Sequence, residues 1–122
     1  PGHSSAASDV YKRQVQLCVN SGIDKSDIII DPGFGFGKTL DHNYLLLNSL
    51  KKFTKLGCRI LSGISRKSMI GSVINKPPSE RLYGSLAATV LAIRNKASIL
   101  RVHDVRQTRV LLNFKDLMIE KT

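Results

Sequence analysis

The sequence predicts an α/β fold in which helices cover a parallel sheet. Three apolar segments, at residues 27–30, 59–64 and 98–104, alternate with stretches in which apolar residues recur every three to four positions. The first segment carries three consecutive isoleucines, a run typical of a strand buried on both faces. A spacing of about 35 residues is that of successive strand–helix units. Both an α/β barrel and a doubly wound sheet are built from such units.

The first apolar segment ends in Asp31, followed by a proline and a loop that alternates glycine and phenylalanine. Proline cannot donate a ladder hydrogen bond, so the strand should end here. The carboxylate then projects from the C-terminal end of a strand, where parallel sheets bind ligands. Phe34 and Phe36 either stack on a flat ligand or pack inward, and Thr39 is predicted to cap the next helix.

This glycine-rich loop does not fit a nucleotide-binding motif. A P-loop needs a glycine five residues before the glycine of Gly-Lys-Thr, and Pro32 stands there. Gly33, Gly35 and Gly37 are spaced G-x-G-x-G, whereas the dinucleotide fingerprint places its third glycine three residues after the second. The spacing therefore argues against a nucleoside triphosphatase.

Four helices are predicted, over residues 10–20, 40–56, 79–93 and 107–119. Gly57 is a suitable stop for the second, and the two prolines before Ser79 separate the third from the preceding strand. The side chains predicted to face the core are Tyr11, Val15, Cys18 and Val19 in the first, Leu40, Tyr44, Leu47, Leu50 and Phe53 in the second, Leu82, Leu86, Ala87, Val90 and Ile93 in the third, and Val110, Leu111, Phe114 and Met118 in the last.

The sequence predicts a folded domain that begins after a short N-terminal tail. Residues 1–14 lack an initial methionine and show no apolar periodicity before Val10, so we expect a non-native or disordered tail, with a frayed native terminus as the alternative. Residues 15–122 then form the domain. A closed barrel requires eight strand–helix units and only three are visible, so a barrel would be incomplete in this chain.

The amino-acid composition argues against some classes of binding partner. The formal net charge of +10 is spread over the helices, and three tyrosines and four phenylalanines are few for a nucleic-acid surface. We interpret the charge as solubility with a local preference for small anions. Cys18 and Cys58 form no C-x-x-C pair, and no apolar run approaches about 20 residues. A cytoplasmic protein that binds neither nucleic acid nor membrane is expected.

Polar side chains follow all three predicted strands. They are Asp31, residues 65–68, and the pair Arg101 and His103. If the strands are parallel, these groups share one edge of the sheet. Each also has a local interpretation: the aspartate caps a helix, residues 65–68 form a solvated basic turn, and His103 pairs with Asp104.

Together these side chains suit a heterocycle attached to an anionic leaving group. The carboxylate of Asp31 can accept two adjacent hydrogen bonds from an amino group and a ring N–H. Lys67 can donate to a ring carbonyl or nitrogen. Arg101 and His103, two apart on an extended strand, point the same way and can hold a phosphate or pyrophosphate.

Four segments resemble the C-terminal part of the bacterial dihydropteroate synthase family, the sulfonamide target. They read Asp-Pro-Gly-Phe-Gly-Phe-Gly-Lys at 31–38, Ser-Arg-Lys-Ser-Met-Ile-Gly at 65–71, Glu-Arg-Leu-Tyr-Gly-Ser-Leu-Ala-Ala at 80–88 and Arg-Val-His-Asp at 101–104. The resemblance covers about residues 15–122. It implies the last three strand–helix units of a TIM (β/α)8 barrel.

The resemblance also implies a reaction. The family condenses 6-hydroxymethyl-7,8-dihydropterin pyrophosphate with para-aminobenzoate to dihydropteroate and pyrophosphate in folate biosynthesis, as a homodimer that uses Mg²⁺. The asparagine that ligates the metal, further pterin-binding residues and two mobile loops lie in the N-terminal part of the family. No residue of this chain is expected to ligate metal, and we expect little synthase activity from it alone.

The resemblance assigns roles to six residues. In the family's terms, Asp31 binds the amino and ring nitrogen groups of the pterin, and Lys67, the expected catalytic residue, contacts the pterin beside the aminobenzoate. The remaining assignments are Phe36 at the border of the aminobenzoate pocket, Ser68 near the aminobenzoate carboxylate, and Arg101 and His103 on the pyrophosphate, with Arg101 also stacking on the pterin.

Two other functions stay open. A methyltetrahydrofolate-dependent methyltransferase shares the pterin-binding barrel, although the motifs at 65–68 and 101–104 favour the synthase. Alternatively, the chain is a non-catalytic fragment that only self-associates, because an open sheet exposes strand edges that can pair.

Overall fold

The structure, a computed structural model, describes residues 2–35 and 38–118. Its α-helices are α1 (Gly2–Asn20), α2 (Leu40–Asn48), α3 (Ser68–Ile74), α4 (Leu82–Arg94), α5 (Val105–Leu112) and α6 (Lys115–Met118). The strands are β1 (Ile29–Ile30), β2 (Arg59–Ser62) and β3 (Ile99–Leu100), and 3₁₀ turns cover Lys25–Asp27, Leu50–Leu56 and Pro78–Glu80. Within the described residues, no helix combines the length and apolar character needed to cross a bilayer.

The three strands form one parallel sheet in the order β1-β2-β3. Ile30 lies opposite Ile60, and Leu100 lies opposite Ser62. The predicted α/β class, with three strand–helix units of a barrel, is confirmed. Because all three strands run the same way, their carboxyl ends meet along one margin of the sheet, which we call the C-terminal edge.

The core lies between the sheet and the helices that follow β1. Leu47, Leu50 and Phe53 are fully buried, and Ile60 of β2 packs in the same cluster. The ring of Tyr11 meets that of Phe53 edge to face, with centroids 5.4 Å apart and an interplanar angle of 89°. This contact fixes α1 against the segment after α2.

The second predicted helix is in fact two elements. The α-helix ends at Asn48, and Leu50–Leu56 continues as a 3₁₀ helix that ends at Gly57, whose φ is 77°. Residues three apart lie in line in a 3₁₀ helix. This winding directs Leu50 and Phe53 into the core, while the predicted inward residue Leu40 is 41% exposed.

Several other boundaries also differ from the prediction. Helix α1 begins at Gly2 and not at residue 10. Whether residues 1–14 are non-native stays a prediction. The strands are shorter than expected, and α3 was not among the predicted helices.

The buried face of α4 consists of small residues, namely Ser85, Ala88, Thr89 and Ala92, with Ile93. The sequence predicted Leu82, Leu86, Ala87 and Val90 at this face with Ile93, and only Ile93 is buried there. The reason is close approach: a Cβ on Gly84 would lie 2.6 Å from Cγ2 of Ile70 in α3. Large side chains are therefore displaced to the flanks of α4.

The last predicted helix divides into α5 and α6, and its apolar face is solvent-exposed. Val110 and Phe114 were expected inside, but they are 57% and 55% exposed. In α5 the buried residue is Thr108, whose hydroxyl donates to the Asp104 carbonyl at 2.8 Å. The predicted inward side chain of Met118 and the predicted helix end at residue 119 lie outside the described part of the chain.

The predicted N-cap of α2 can be tested by replacing Thr39. Thr39 is its N-cap, and Oγ1 of Thr39 accepts a hydrogen bond from the backbone N–H of His42 at 3.2 Å, as predicted. Replacing Thr39 with alanine is expected to lower the free energy of unfolding by about 1 kcal/mol, because that N–H loses its partner. Urea denaturation measures the change. Thr39→Ser keeps the acceptor and should retain most of the stability; equal losses in both variants would show that the cap is unimportant.

Candidate functional site

All three polar clusters lie at the C-terminal edge. Asp31 directly follows β1, residues 63–67 connect β2 to α3, and residues 101–104 connect β3 to α5. Parallel pairing places these three connections side by side. In open and closed parallel sheets this is the edge that binds ligands.

A cavity of about 220 Å³ lies between the second and third connections. Its walls are formed by Gly63, Ser65, Lys67, Arg101, Val102 and His103. Lys67, Arg101 and His103 therefore come together as the sequence predicted, and they surround the cavity with cationic or hydrogen-bonding groups. Asp31 and Ser68 do not line it, and Phe36 lies outside the described residues.

Arg101 lies over the backbone of Gly63. A Cβ on Gly63 would be 2.9 Å from Nε and 3.0 Å from Cζ of Arg101, so the guanidinium occupies the space that a side chain would fill. The backbone N–H of Arg101 donates to the carbonyl of Ser62 at 3.0 Å, which extends the pairing of β3 with β2. Gly63 is thus required for the position of the guanidinium.

Ser65 holds His103. The hydroxyl of the buried Ser65 lies 3.0 Å from Nδ1 of His103, and it accepts the backbone N–H of the same histidine at 3.3 Å. The serine oxygen accepts the backbone N–H, and its hydroxyl hydrogen is available to donate to Nδ1. In the tautomer that accepts this hydrogen bond, Nε2 carries the proton and can donate to an anion. The suggestion that His103 pairs with Asp104 is wrong, because Asp104 pairs with Arg66.

The loop after β1 is fixed by side chains around Asp31. The backbone N–H of Gly33 donates to Oδ1 of Asp31 at 3.0 Å, and Nζ of Lys38 donates to the Gly33 carbonyl at 2.9 Å. Oδ1 of the buried Asn43 accepts the backbone N–H of Gly35 at 2.8 Å. The carboxylate is exposed and held in one orientation at the C-terminal edge.

Helix α1 also contacts Asp31, through the side chain of Tyr11. The Tyr11 hydroxyl lies 3.4 Å from the backbone carbonyl oxygen of Asp31, to which it donates. Burial of the phenol, and then the negative charge of Asp31, raise the pKa of Tyr11 above its ordinary value. The tyrosine consequently stays protonated and remains a donor at neutral pH.

The two remaining site predictions have different outcomes. Phe34 is only 2% exposed, so it packs inward and does not offer a stacking surface. Ser68 is exposed at the first position of α3, directly after Lys67. The loop of Phe34 nonetheless approaches the lysine, since a Cβ on Gly35 would lie 3.9 Å from Cδ of Lys67.

Sequence reasoning missed contacts that support this site. Gly63 and Asn43 were not predicted, and Ser65 was predicted at this edge without its partner His103. None of the three carries a charge, and the contacts of Asn43 and Ser65 join residues 8 and 38 positions apart. A glycine and a serine directly after an apolar strand were the available signals. Neither indicates a partner without the neighbouring strand in place.

The described residues do not fit a metal centre. No three histidine, cysteine, aspartate or glutamate side chains among them lie close enough to hold a metal ion. At the cavity itself the groups are mainly cationic, which suits an anion and not a divalent cation.

Comparison with known proteins connects this site to a family. The family described as pterin binding enzyme matches residues 5–103. The dihydropteroate synthase of Escherichia coli (strain K12) is 53% identical over 98 residues, which cover 80% of this chain and 35% of that protein. The chain therefore spans about one third of the length of this relative.

Solved structures agree in fold. A dihydropteroate synthase from Coxiella burnetii in complex with pteroic acid superimposes with a TM-score of 0.87 and 46% identity, over 93% of this chain and 43% of that one. The enzyme from Thermus thermophilus in complex with 6HMPPP gives a TM-score of 0.85 and 36% identity, over 93% and 45% of the two chains.

Proposed function

Because the chain belongs to the pterin binding enzyme family, we propose that it supplies three strand–helix units of a dihydropteroate synthase. The whole barrel would condense a dihydropterin pyrophosphate with para-aminobenzoate to form dihydropteroate and pyrophosphate. Support comes from the match over residues 5–103 and from relatives that carry this name. The relatives compared above carry the synthase name, which favours this function over a pterin-dependent methyltransferase.

The observation that carries the proposal is the cavity between Lys67, Arg101 and His103. A fixed guanidinium, an imidazole and an ammonium around one cavity suit a pyrophosphate group, since charge-assisted hydrogen bonds to anions are the strong ones. A relative that was solved in complex with 6HMPPP supports a ligand of this class. The heterocycle of the same ligand would then extend toward Asp31.

Asp31 is proposed to bind the pterin ring. Its carboxylate is oriented by Gly33 and lies in the exposed C-terminal edge, where it can accept a ring N–H and an amino group. Phe36 and Ser68 are proposed to border the aminobenzoate, as in the family resemblance. Ser68 is exposed beside Lys67, which supports that position.

These groups suit a dissociative substitution. The carbon–oxygen bond to pyrophosphate breaks first, and its electron pair leaves with the pyrophosphate. Arg101 and His103 stabilise that departing anion, while Asp31 offsets the positive charge that develops on the pterin. The aminobenzoate nitrogen then attacks the cationic carbon and loses its proton. Lys67, the proposed catalytic residue, holds the ring beside the incoming amine.

Three further properties are proposed for the whole enzyme. It uses Mg²⁺, whose protein ligand the family resemblance assigns to the N-terminal part of the family. It acts in the cytoplasm as a homodimer. The exposed apolar residues Val110, Phe114 and Leu117 on and between α5 and α6 support an association surface there.

Self-association without catalysis remains a second candidate, because β1 and β3 lie at the edges of the sheet and can pair with further strands. Light scattering separates the two functions when combined with activity. A chain that only self-associates would form defined oligomers and show no turnover after reconstitution. A synthase part would gain turnover.

Reconstitution is the decisive experiment. The chain is co-expressed with the part of the Escherichia coli relative that precedes the matched region, and dihydropteroate formation is measured from labelled para-aminobenzoate. We expect turnover that requires both parts and is lost in Lys67→Ala. Lys52→Ala, at an exposed lysine distant from the cavity, is the matched control and should retain it. Co-purification of both parts without product would contradict the proposal.

A further inference from the structure

Arg66 adopts an unusual backbone conformation directly beside the cavity. Its φ is 58°, in the left-handed region, where an arginine is uncommon and strained. Such strain persists only where surrounding contacts impose it, and it concentrates at functional sites. Arg66 precedes Lys67, so its conformation sets the direction in which the lysine leaves the loop.

Four hydrogen bonds impose this conformation. The Arg66 backbone N–H donates to Oγ of the buried Ser85 at 2.9 Å, and its carbonyl accepts Nη1 of Arg81 at 2.8 Å. The guanidinium donates twice to Asp104, from Nη2 to Oδ1 at 2.8 Å and from Nε to Oδ2 at 3.4 Å. The backbone is thus held from the start of α4, and the side chain from the connection after β3.

We propose that Arg66 and Asp104 are positioning residues for the anion cavity. Their ion pair, the loop clasp, joins the connection after β2 to the connection after β3. Each partner is the immediate neighbour of a cavity residue, Lys67 in one case and His103 in the other. Neither Arg66 nor Asp104 lines the cavity, so the clasp acts through these neighbours.

The clasp differs from an ordinary ion pair at the protein surface. Its side chains are only 33% and 18% exposed and meet in a bidentate geometry, which holds the two groups in a fixed relative position. A carboxylate this close to an anion site also opposes anion binding by its charge. A geometric role accounts for both features, because the bidentate pair fixes the distance between two connections that have no strand ladder between them.

A charge effect and a positioning effect predict opposite changes in pyrophosphate affinity when Asp104 is replaced by asparagine. This test rests on the proposed function, since the probe is inorganic pyrophosphate. Removing a negative charge next to an anion site should tighten binding if the charge alone matters. In Asp104→Asn we instead expect the dissociation constant for pyrophosphate to rise about three- to tenfold, because the clasp is lost. Asp24→Asn, at an exposed aspartate that makes no cap hydrogen bond, removes the same charge as a control and should leave binding unchanged.

A second measurement needs no ligand. The backbone N–H groups of Lys67 and His103 donate to the Ile64 carbonyl at 3.1 Å and to Oγ of Ser65 at 3.3 Å. Hydrogen exchange at both should be about tenfold faster in Asp104→Asn, while exchange at Ser98, whose N–H donates to the Ile60 carbonyl in β2, stays unchanged. Tighter pyrophosphate binding by Asp104→Asn, or unchanged exchange at both amides, would contradict the positioning role proposed for the loop clasp. Absence of pyrophosphate binding in the wild-type chain would contradict the proposed function, and the exchange rates would still decide the clasp.

Discussion

Replacing Gly63 with alanine is expected to weaken the binding of inorganic pyrophosphate about ten- to a hundredfold, the loss typical of one displaced charge-assisted contact. The added methyl group would overlap the guanidinium of Arg101, whose Nε would be 2.9 Å away. Gly63 does not require a positive φ, so alanine fits its backbone. The arginine therefore moves, and the free energy of unfolding should change little. Isothermal titration calorimetry at low salt measures the affinity.

A double-mutant cycle shows whether the loss passes through Arg101. Arg101→Ala alone should weaken binding by a similar factor. If Gly63→Ala acts by displacing the guanidinium, the double variant should bind no more weakly than Arg101→Ala. Additive losses would mean that Gly63 acts by another route. Thermal denaturation of all three variants checks that the fold is retained.

Phe53→Ala is expected to reduce the free energy of unfolding by about 3–5 kcal/mol. The ring is fully buried and packs edge to face on Tyr11, so truncation leaves a cavity and removes an aromatic pair. That is a large fraction of the stability of a domain of this size. Urea denaturation monitored by circular dichroism measures the change.

The matched control is Leu117→Ala, at a side chain that is 82% exposed. It should change the free energy of unfolding by less than about 0.5 kcal/mol. Phe53→Leu should fall between the two, since it keeps apolar volume and loses the aromatic contact. Similar stability of Phe53→Ala and Leu117→Ala would mean that the core is not centred where the structure places it.

The α/β class could be predicted because the strands are apolar runs. The ends of one helical segment could be predicted because capping residues mark them. Thr39 and Gly57 mark the start of α2 and the end of the following 3₁₀ helix through local backbone chemistry alone. The buried face of α4 was not predictable. Small residues there are inside because α3 approaches closely, and that approach is a tertiary fact that helical periodicity does not contain.

Part of the candidate site could also be predicted from the sequence, and part could not. Lys67, Arg101 and His103 could be predicted because each follows a strand of a parallel sheet, and parallel pairing brings such positions together. The contact between Ser65 and His103, and the ion pair between Arg66 and Asp104, join residues 38 positions apart. Their partners depend on side-chain directions that only the folded connections define.

The sheet register has a consequence for the shape of any ligand. Ile30 faces Ile60 and Leu100 faces Ser62, so the residues that follow, Asp31 and Arg101, differ in height by two positions of β2, about 6.6 Å along the strand. A molecule that touches both must be elongated and must lie tilted, with its end at Asp31 the deeper one. Inorganic pyrophosphate, an anion that the Asp31 carboxylate repels, reports on the Arg101 end of such a molecule and not on the Asp31 end.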